Sequence, residues 1–342
     1  MKYRGINYDT GTKTVIGGLT REKFEPDRIA KEISIIKNEL HCNAIRISGA
    51  SIEKVAKASE IALQSGLEVW FSPSLPYDDQ ENTLNYIIEA AIIAEDLRKK
   101  FRDIVFVTGC ELSLFTTGFV KGATGDDRIR NLFSPFGLIK NMLGVRHSYN
   151  IRLNKFLVAA VNEIRQRFKG KISYASGSWE KIDWKLFDIV SVDLYRASYN
   201  KSIYLKELQK YKNMGLPFCV TEFGCCTYKG AEEKGPMGWA IVDWKKEVPE
   251  LKGEFVRDEQ EQANYLLELM KIFDDEKIFG AFVFTFILEN YKYDVDPAHD
   301  LDMASYGIVK SLGKGEGGYK DLPWAPKKAF FEIAKYNETH QR

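Results

Sequence analysis

Apolar runs of strand length alternate along the chain with amphipathic stretches of helix length. This alternation is typical of repeated strand–helix units, which build a parallel sheet. We count eight predicted strands, at residues 3–8, 44–48, 67–72, 104–111, 171–176, 189–195, 217–222 and 279–286. Eight such units predict an α/β protein with the fold of a single (β/α)8 TIM barrel.

The predicted helices show apolar positions that recur at intervals of three and four residues. Pro26 stands in the first turn of the first helix, where proline is tolerated. Gly66 follows the second helix, as glycine often does just past a helix end. The predicted helices are residues 26–37, 52–64, 81–100, 150–168, 205–214, 258–273 and 325–336.

Three long loops interrupt the alternation, after predicted strands 4, 7 and 8. Residues 115–149 carry glycines, basic residues and scattered aromatics without clear periodicity. We interpret them as a lid insertion over the barrel mouth, with Phe133, Phe136 and Leu138 folded under it. Residues 225–255 form the second long loop. Since no linker or low-complexity stretch separates a second part, the sequence predicts one domain over residues 1–342.

Composition and charge narrow the classes of function. The 342 residues are 44% hydrophobic, enough for a large core, and 49 Lys and Arg against 48 Asp and Glu give a net charge of +1. Such a balance creates no field that favours nucleic acid or an anionic membrane, so we expect neither partner. The chain begins without the apolar stretch of a signal peptide and has no run approaching about 18 apolar residues. We expect a cytoplasmic protein.

The cysteines indicate reduced thiols rather than a disulfide framework. There are five of them, an odd number, and their spacing matches no metal site. The acidic loop around His299 likewise matches no standard metal site, and we expect solvated acids at Asp296, Asp300 and Asp302. The sequence predicts neither a metal nor another cofactor. The glycines of residues 313–318 follow no strand into a phosphate-binding helix and predict a flexible loop.

Two glutamates, Glu111 and Glu222, come at the carboxyl ends of predicted strands 4 and 7. Barrel enzymes do their chemistry at this end of the barrel. A single glutamate there more often caps a loop or pairs with an arginine, but a pair suits glycoside hydrolysis. That reaction needs one carboxyl group to protonate the leaving oxygen and another to attack, or to activate water. Carboxyl groups about 5 Å apart predict retention of configuration, and roughly 6.5 to 9.5 Å predicts inversion.

Short segments of the chain resemble the clan A glycoside hydrolases, which are eight-stranded barrels. They are Thr221-Glu222-Phe-Gly, Asn43-Ala-Ile-Arg46, Asp193-Leu-Tyr195 and the closing Trp324-Ala-Pro-Lys. The resemblance implies a retaining mechanism, with Glu222 as the nucleophile and Glu111 as the acid/base. It also implies that Arg46 and Tyr195 hold the nucleophile ionised and oriented, while Asp193 shares the strand face of Tyr195. The expected partner is a carbohydrate substrate.

A narrower likeness covers residues 222–231, 237–239 and 300–307. These segments are similar to bacterial proteins labelled abortive infection proteins. That resemblance implies no particular chemistry.

One position departs from the clan's pattern. The clan has Asn immediately before the acid/base glutamate, where its amide bonds the sugar 2-hydroxyl, whereas this chain has Cys110. A thiol is a weak hydrogen-bond partner and cannot replace an amide. Another residue could contact that hydroxyl, the substrate could differ at that carbon, or catalysis could be lost. The last alternative is a non-catalytic carbohydrate- or partner-binding barrel.

Aromatic side chains that could stack on a sugar are the remaining candidates. Phe284 and Phe286 stand where the clan usually has a strand-eight tryptophan. Trp179 and Trp239 fall in predicted loops and could supply the stacking surface instead. A lyase or aldolase barrel would need a lysine at a strand end, and none is convincingly placed.

Overall fold

The computed structural model describes residues 1–14, 18–101, 104–134, 149–313 and 317–340. The middle of the predicted lid, with Phe136, Leu138 and His147, lies outside the described residues. So does part of the glycine-rich segment 313–318.

Eight parallel strands close into a barrel in which each strand pairs with its neighbours in chain order. The predicted (β/α)8 TIM barrel is therefore confirmed. In chain order the strands, named β1 to β8, are Tyr3–Asp9, Ala44–Gly49, Glu68–Pro73, Ile104–Cys110, Lys171–Gly177, Val190–Asp193, Phe218–Phe223 and Gly280–Val283.

Helices pack around the barrel and connect successive strands. Several begin at a residue whose side chain caps them: Ser51 accepts a hydrogen bond from the Lys54 N–H, and Asp258 accepts one from the Glu261 N–H. A 3-10 turn, Trp184–Leu186, stands between β5 and β6. The longer helices are Pro26–Asn38, Ile52–Gln64, Gln80–Phe101, Tyr149–Arg167, Tyr204–Lys212, Glu259–Asp275 and Lys328–Thr339.

No helix within the described ranges is long and apolar enough to cross a membrane.

The described part of the lid segment contains helices that the hydrophobic pattern did not predict. Leu112–Phe115 forms one turn directly after β4, and Gly125–Leu132 is a longer helix. Thr124 and Asp127 form a capping box at the start of Gly125–Leu132. A threonine followed three residues later by an acid is a known sign of a helix start, so the sequence did carry this signal.

Two strands are shorter than predicted, and the helix predicted at 325–336 begins later. Strand β6 ends at Asp193 and β8 ends at Val283. Trp324–Pro326 pairs antiparallel with Val309–Ser311 instead of starting the last helix, which begins at Lys328. The Trp324 side chain is fully buried, and its N–H donates to Glu32 at 3.0 Å, which holds the chain extended at this point.

Aromatic side chains fill the bottom of the barrel. Trp70 of β3 packs against Phe282 of β8 with ring centroids 4.8 Å apart, although β2 and β1 lie between these strands. Tyr3 contacts Trp70 edge to face. Gly5 leaves room for this packing, since a Cβ atom there would lie 2.3 Å from the Phe282 ring. The barrel is therefore a packed core with its upper end left for polar groups.

The acidic loop near His299 differs from the expected solvated loop. Asp300 and Asp302 are buried, and Arg257 lies 2.8 Å from Asp300 and 2.9 Å from Asp302. Lys327, also fully buried, lies 2.9 Å from the same Asp302 oxygen. The expectation of solvated acids at these two residues was therefore wrong, because these acids serve as counter-ions that join the long loops after β7 and β8.

Replacing Asp302 by leucine should lower the free energy of unfolding by about 3–5 kcal/mol, because it leaves the Lys327 ammonium buried without its carboxylate. Urea denaturation at pH 7 measures this effect. The added substitution Lys327→Met should recover most of the loss. A double variant as unstable as the single one would contradict the ion-pair explanation.

Candidate active site

Extra residues in β4 and β7 decide which side chains face the barrel interior. In β7, Val220 pairs with Val192 but Glu222 pairs with Asp193, so β7 has one residue more than its neighbour. The same shift occurs in β4, where Val107 pairs with Ser173 and Cys110 with Ala175. Such β-bulges redirect the side chains that follow them. Without the bulge, strand alternation would turn Glu222 outward toward the helices.

Glu222 accepts hydrogen bonds on both carboxylate oxygens. The Arg46 guanidinium from β2 lies 2.8 Å from Oε1, and the Tyr195 hydroxyl lies 3.1 Å from Oε2. The Cys110 thiol is 3.6 Å from Oε1. The Glu222 side chain keeps 14% of its surface exposed. The structure thus brings Arg46, Cys110, Tyr195 and Glu222 into one contact network, as a single site requires.

Two polar residues that the sequence analysis missed hold Arg46 in place. Asn7 of β1 accepts a hydrogen bond from Arg46 Nη1 at 3.2 Å, and Ser72 of β3 accepts one from Nε at 3.2 Å. Asn7 also donates to the Thr221 carbonyl at 2.9 Å, next to Glu222. A polar side chain within the apolar first strand was the available signal for Asn7.

Asp193 adds a third carboxyl group to the cluster. Its side chain is fully buried, 3.5 Å from the Cys110 thiol and 4.0 Å from Arg46. Burial, reinforced by the Glu222 charge, raises the pKa of Asp193 well above its ordinary range. Burial and the same two carboxylates also raise the pKa of the Cys110 thiol. Cys110 is therefore a neutral hydrogen-bond donor at this position rather than a thiolate nucleophile.

Glu111 stands at the turn between β4 and the helix Leu112–Phe115. Its backbone is left-handed, with φ 44° and ψ 45°, which costs a residue with a side chain about 1–2 kcal/mol. The Glu111 N–H donates to the Ala175 carbonyl at 2.9 Å, and its carbonyl accepts from the Leu114 N–H at 2.8 Å. The strained turn is held by hydrogen bonds on both sides, and Glu111 is half-buried.

The environment of Glu111 favours its protonated form. Burial raises the pKa of this carboxyl group well above its ordinary range, and the charges of Asp193, Glu222 and Glu180 raise it further. The positive charge of Arg46 opposes them. Glu111 therefore keeps its proton at a pH where an exposed glutamate has lost it.

The two candidate tryptophans lie in different surroundings. Trp179 follows β5, and its ring packs edge to face on Phe133. Its indole N–H donates to the hydroxyl of Ser113 at 3.1 Å. Ser113 is the second residue after Glu111. Trp239 lies in the 3-10 helix Gly235–Ile241 and packs against the hydrophobic core. Trp179 is thus tied directly to the loop that carries Glu111, whereas Trp239 belongs to the loop after β7.

An aromatic row leads from the end of β8 to Tyr195 beside Glu222, and the sequence analysis did not identify its middle member, Tyr306. Phe284, partly exposed just past β8, packs on Tyr306 with ring centroids 5.8 Å apart. Tyr306 in turn packs on Tyr195 at 5.7 Å. The Tyr306 hydroxyl accepts a hydrogen bond from the Gly238 N–H at 2.9 Å, next to Trp239. Phe286, by contrast, is buried against Tyr8 and Trp324.

The ligand atoms of Cys110, Asp193 and Glu222 lie within 4.8 Å of one another, close enough to share a cation. The Arg46 guanidinium already contacts Glu222 and lies near Asp193, and it would repel a metal ion. We therefore assign the role of counter-ion at this cluster to Arg46. The expectation that the protein uses no metal stays a prediction.

Comparison with known proteins gives similar structures but no similar sequences. Neither a protein-family model nor a curated protein matches this chain. A GH113 β-1,4-mannanase is similar in structure, with a TM-score of 0.63 and 15% identity over 99% of this chain and 100% of that one. The GH113 β-mannanase of Alicyclobacillus acidocaldarius has a TM-score of 0.61 and 12% identity over 98% and 97% of the two chains.

A larger protein shows the same likeness over part of its length. The β-D-glucuronidase of Dictyoglomus thermophilum has a TM-score of 0.58 and 12% identity, over 99% of this chain and 51% of that one. At such identities the shared feature is the fold. The chain therefore has the TIM-barrel fold found in glycoside hydrolases, while the narrower likeness to abortive infection proteins stays a prediction.

Proposed function

We propose that this protein is a retaining glycoside hydrolase, with Glu222 as the nucleophile and Glu111 as the acid/base. The observation that supports this assignment best is the contrast between the two carboxyl groups. Glu222 contacts a guanidinium and a phenol, both donors that stabilise a carboxylate. Glu111 faces other acids and has a raised pKa, as a general acid requires.

In the first step a Glu222 oxygen attacks the anomeric carbon while the bond from that carbon to the leaving oxygen breaks. Glu111 donates its proton to the leaving oxygen, which departs as a neutral alcohol. Arg46 and Tyr195 orient the attacking carboxylate. The product of this step is a glycosyl ester of Glu222 and an ionised Glu111.

In the second step Glu111 removes a proton from water, and the water oxygen attacks the same anomeric carbon. The ester bond to Glu222 breaks and returns the carboxylate to Arg46 and Tyr195. Two inversions at one carbon leave the sugar with its original configuration. The protonation states of both glutamates are then restored for the next cycle.

The substrates to test first follow from the fold likeness. The structural neighbours are described as β-1,4-mannanases and β-glucuronidases. We propose a β-linked glycoside as the substrate class, so β-1,4-mannooligosaccharides and aryl β-glucuronides lead the screen. Phe284, partly exposed beside Tyr306, offers an apolar surface for one face of a sugar ring.

Cys110 favours one alternative, a carbohydrate-binding barrel that has lost catalysis. The thiol lies between Asp193 and Glu222, where the clan has an amide for the sugar 2-hydroxyl. A barrel without turnover would bind a sugar in the same mouth and release no product. Measured hydrolysis therefore separates the two functions.

The configuration of the first product tests the proposal. We expect a β-glycoside to release the β-anomer, observed by proton NMR within minutes and before mutarotation. Initial release of the α-anomer would exclude the covalent intermediate and show inversion. Sugar binding in calorimetry without release of product from any glycoside would favour the binding barrel.

A further inference from the structure

Glu180 is a buried acid close to the proposed acid/base that neither the sequence pattern nor the proposed mechanism uses. It follows β5 in the chain and is 6% exposed. Its N–H donates to the Gly177 carbonyl at 3.0 Å, which closes a tight turn at the end of this strand. The side chain points back under the loop that carries Glu111, as its contacts show.

The Glu180 carboxylate receives its hydrogen bonds from neutral groups. Oε1 accepts from the Ser113 N–H at 3.0 Å, and Oε2 accepts from the Gly177 N–H at 3.2 Å. The Tyr174 hydroxyl lies 2.9 Å from Oε2, and the Ser176 hydroxyl 3.2 Å from the same oxygen. These bonds stabilise the carboxylate against the burial that raises its pKa. Among the described residues, no ion pair cancels its negative charge.

The same bonds fix the two residues that follow Glu111. Ser113 donates directly to Glu180, whereas the Leu112 N–H donates to the Tyr174 hydroxyl at 2.8 Å, and that hydroxyl donates onward to Glu180. Both N–H groups belong to the first turn of a short helix and have no partner within that helix. Glu180 thus acts as an anchor for the turn in which Glu111 takes up its left-handed backbone.

The charge of Glu180 also acts on Glu111. The titratable and charged groups near Glu111 come from several strands and from the loops after β5 and β6, and they act in opposite directions. After burial, the largest influences on the Glu111 pKa within the described residues are the charges of Asp193, Glu222 and Glu180, which raise it, and Arg46, which lowers it. The surrounding groups are Arg46, Cys110, Asp193, Tyr195 and Glu222, with Tyr174 and Glu180 behind the loop.

We propose that Glu180 is a positioning residue for the acid/base, which holds the Leu112–Ser113 turn in place and sets a negative charge behind the loop that carries Glu111. This inference rests on the proposed function of Glu111. It assigns two separable effects to one buried carboxylate. The geometric effect passes through hydrogen bonds to backbone N–H groups, and the electrostatic effect passes through space.

The substitution Glu180→Gln keeps the side-chain shape and removes the charge, and its amide NH2 gives up the hydrogen bonds that one carboxylate oxygen accepted. A lower Glu111 pKa follows, because one source of negative potential is lost. A general acid must be protonated to work, so the alkaline limb of the kcat/KM profile should move to lower pH. A carboxylate that served only to stabilise the fold would lower activity or melting temperature without moving this limb.

The substitution Tyr174→Phe separates the geometric effect from the electrostatic one. It removes the hydroxyl that links Leu112 to Glu180, while the Ser113 and Gly177 N–H groups still bond the Glu180 carboxylate. We expect kcat to fall about tenfold, the effect of losing one hydrogen bond that positions the acid, with the alkaline limb unmoved. The control is Glu163→Gln, on the surface of the helix Tyr149–Arg167, which should change neither quantity.

A carbon-13 NMR titration of the glutamate carboxyl groups measures the Glu111 pKa without turnover, with Glu111→Gln identifying its resonance. A lower midpoint in Glu180→Gln, unchanged in Glu163→Gln, supports the inference even if no glycoside is hydrolysed. Hydrolysis with the same midpoint and alkaline limb in both proteins overturns it. Should Glu180→Gln not fold, an unchanged kcat in Tyr174→Phe overturns the positioning role.

Discussion

Replacing Glu222 by alanine should lower kcat by roughly 10^5-fold, a loss comparable with removal of the nucleophile in other covalent enzymes. The expected reason is the loss of the carboxylate oxygen that attacks the anomeric carbon. Azide added to Glu222→Ala should restore part of the turnover, because the small anion can occupy the space of the lost carboxylate. Release of the aglycone from an aryl glycoside and proton NMR of the sugar product measure both effects.

The configuration of the azide product makes this experiment specific to the nucleophile. A single displacement by azide inverts the anomeric carbon, so a β-glycoside should give the α-glycosyl azide. Glu233→Ala, an exposed acid in the loop after β7, is the matched control and should keep wild-type kcat. Turnover in Glu222→Ala near the wild-type rate would exclude Glu222 as the nucleophile.

Replacing Glu111 by glutamine should lower kcat by roughly 10^2- to 10^4-fold on substrates with poor leaving groups, because a glutamine cannot donate the proton. Substrates with acidic aryl leaving groups need little protonation, so their first step should be much less affected. Steady-state rates on a series of aryl glycosides that differ in leaving-group acidity measure this difference.

The pH dependence of the activity tests the role of Glu111 independently. In the wild type the activity should fall as pH rises through the Glu111 pKa, which burial and neighbouring acids place above the ordinary glutamate range. This alkaline limb should disappear in Glu111→Gln, since no proton remains to be lost at that position. An equal loss of rate on every leaving group, with the alkaline limb retained, would assign the acid to another residue.

Cys110, which stands where the clan has Asn, has a physical role that the structure indicates. The thiol lies 3.5 Å from Asp193 and 3.6 Å from Glu222, and its raised pKa keeps it neutral. The neutral thiol therefore lies between Asp193 and Glu222 without adding a third negative charge. The position still lacks the amide of the clan. The three alternatives stay open: another group contacts the sugar 2-hydroxyl, the substrate differs at that carbon, or the barrel binds a sugar without cleaving it.

The polar side chains of the proposed site also show why the sequence alone predicts only part of it. Arg46, Tyr195 and Glu222 are recognisable because each stands in a short segment that resembles a known family. Asn7 and Ser72, which hold Arg46, stand in no such segment, and a polar residue in an apolar strand is the one signal that Asn7 offers. Glu180 lies in a short turn with no motif around it, and its contact with Ser113 joins residues 67 positions apart.

The sequence by itself determined the barrel and the positions of Glu111 and Glu222 at strand ends. Hydrophobic periodicity is a local property, because each strand or helix must bury its own apolar face. It also determined that the acids belong to the fourth and seventh strands, Glu111 directly after β4 and Glu222 within β7, because the strands pair in chain order.

Only the tertiary structure decided which way those acids face. The bulges in β4 and β7 appear as shifts in pairing between strands, and the pairing depends on residues far apart in the chain. The same is true of the charges around Glu111, where Asp193, Glu180 and Arg46 come from three separate strand–helix units. Electrostatic potential and strand register are sums over distant neighbours, which a local pattern of apolar and polar residues does not contain.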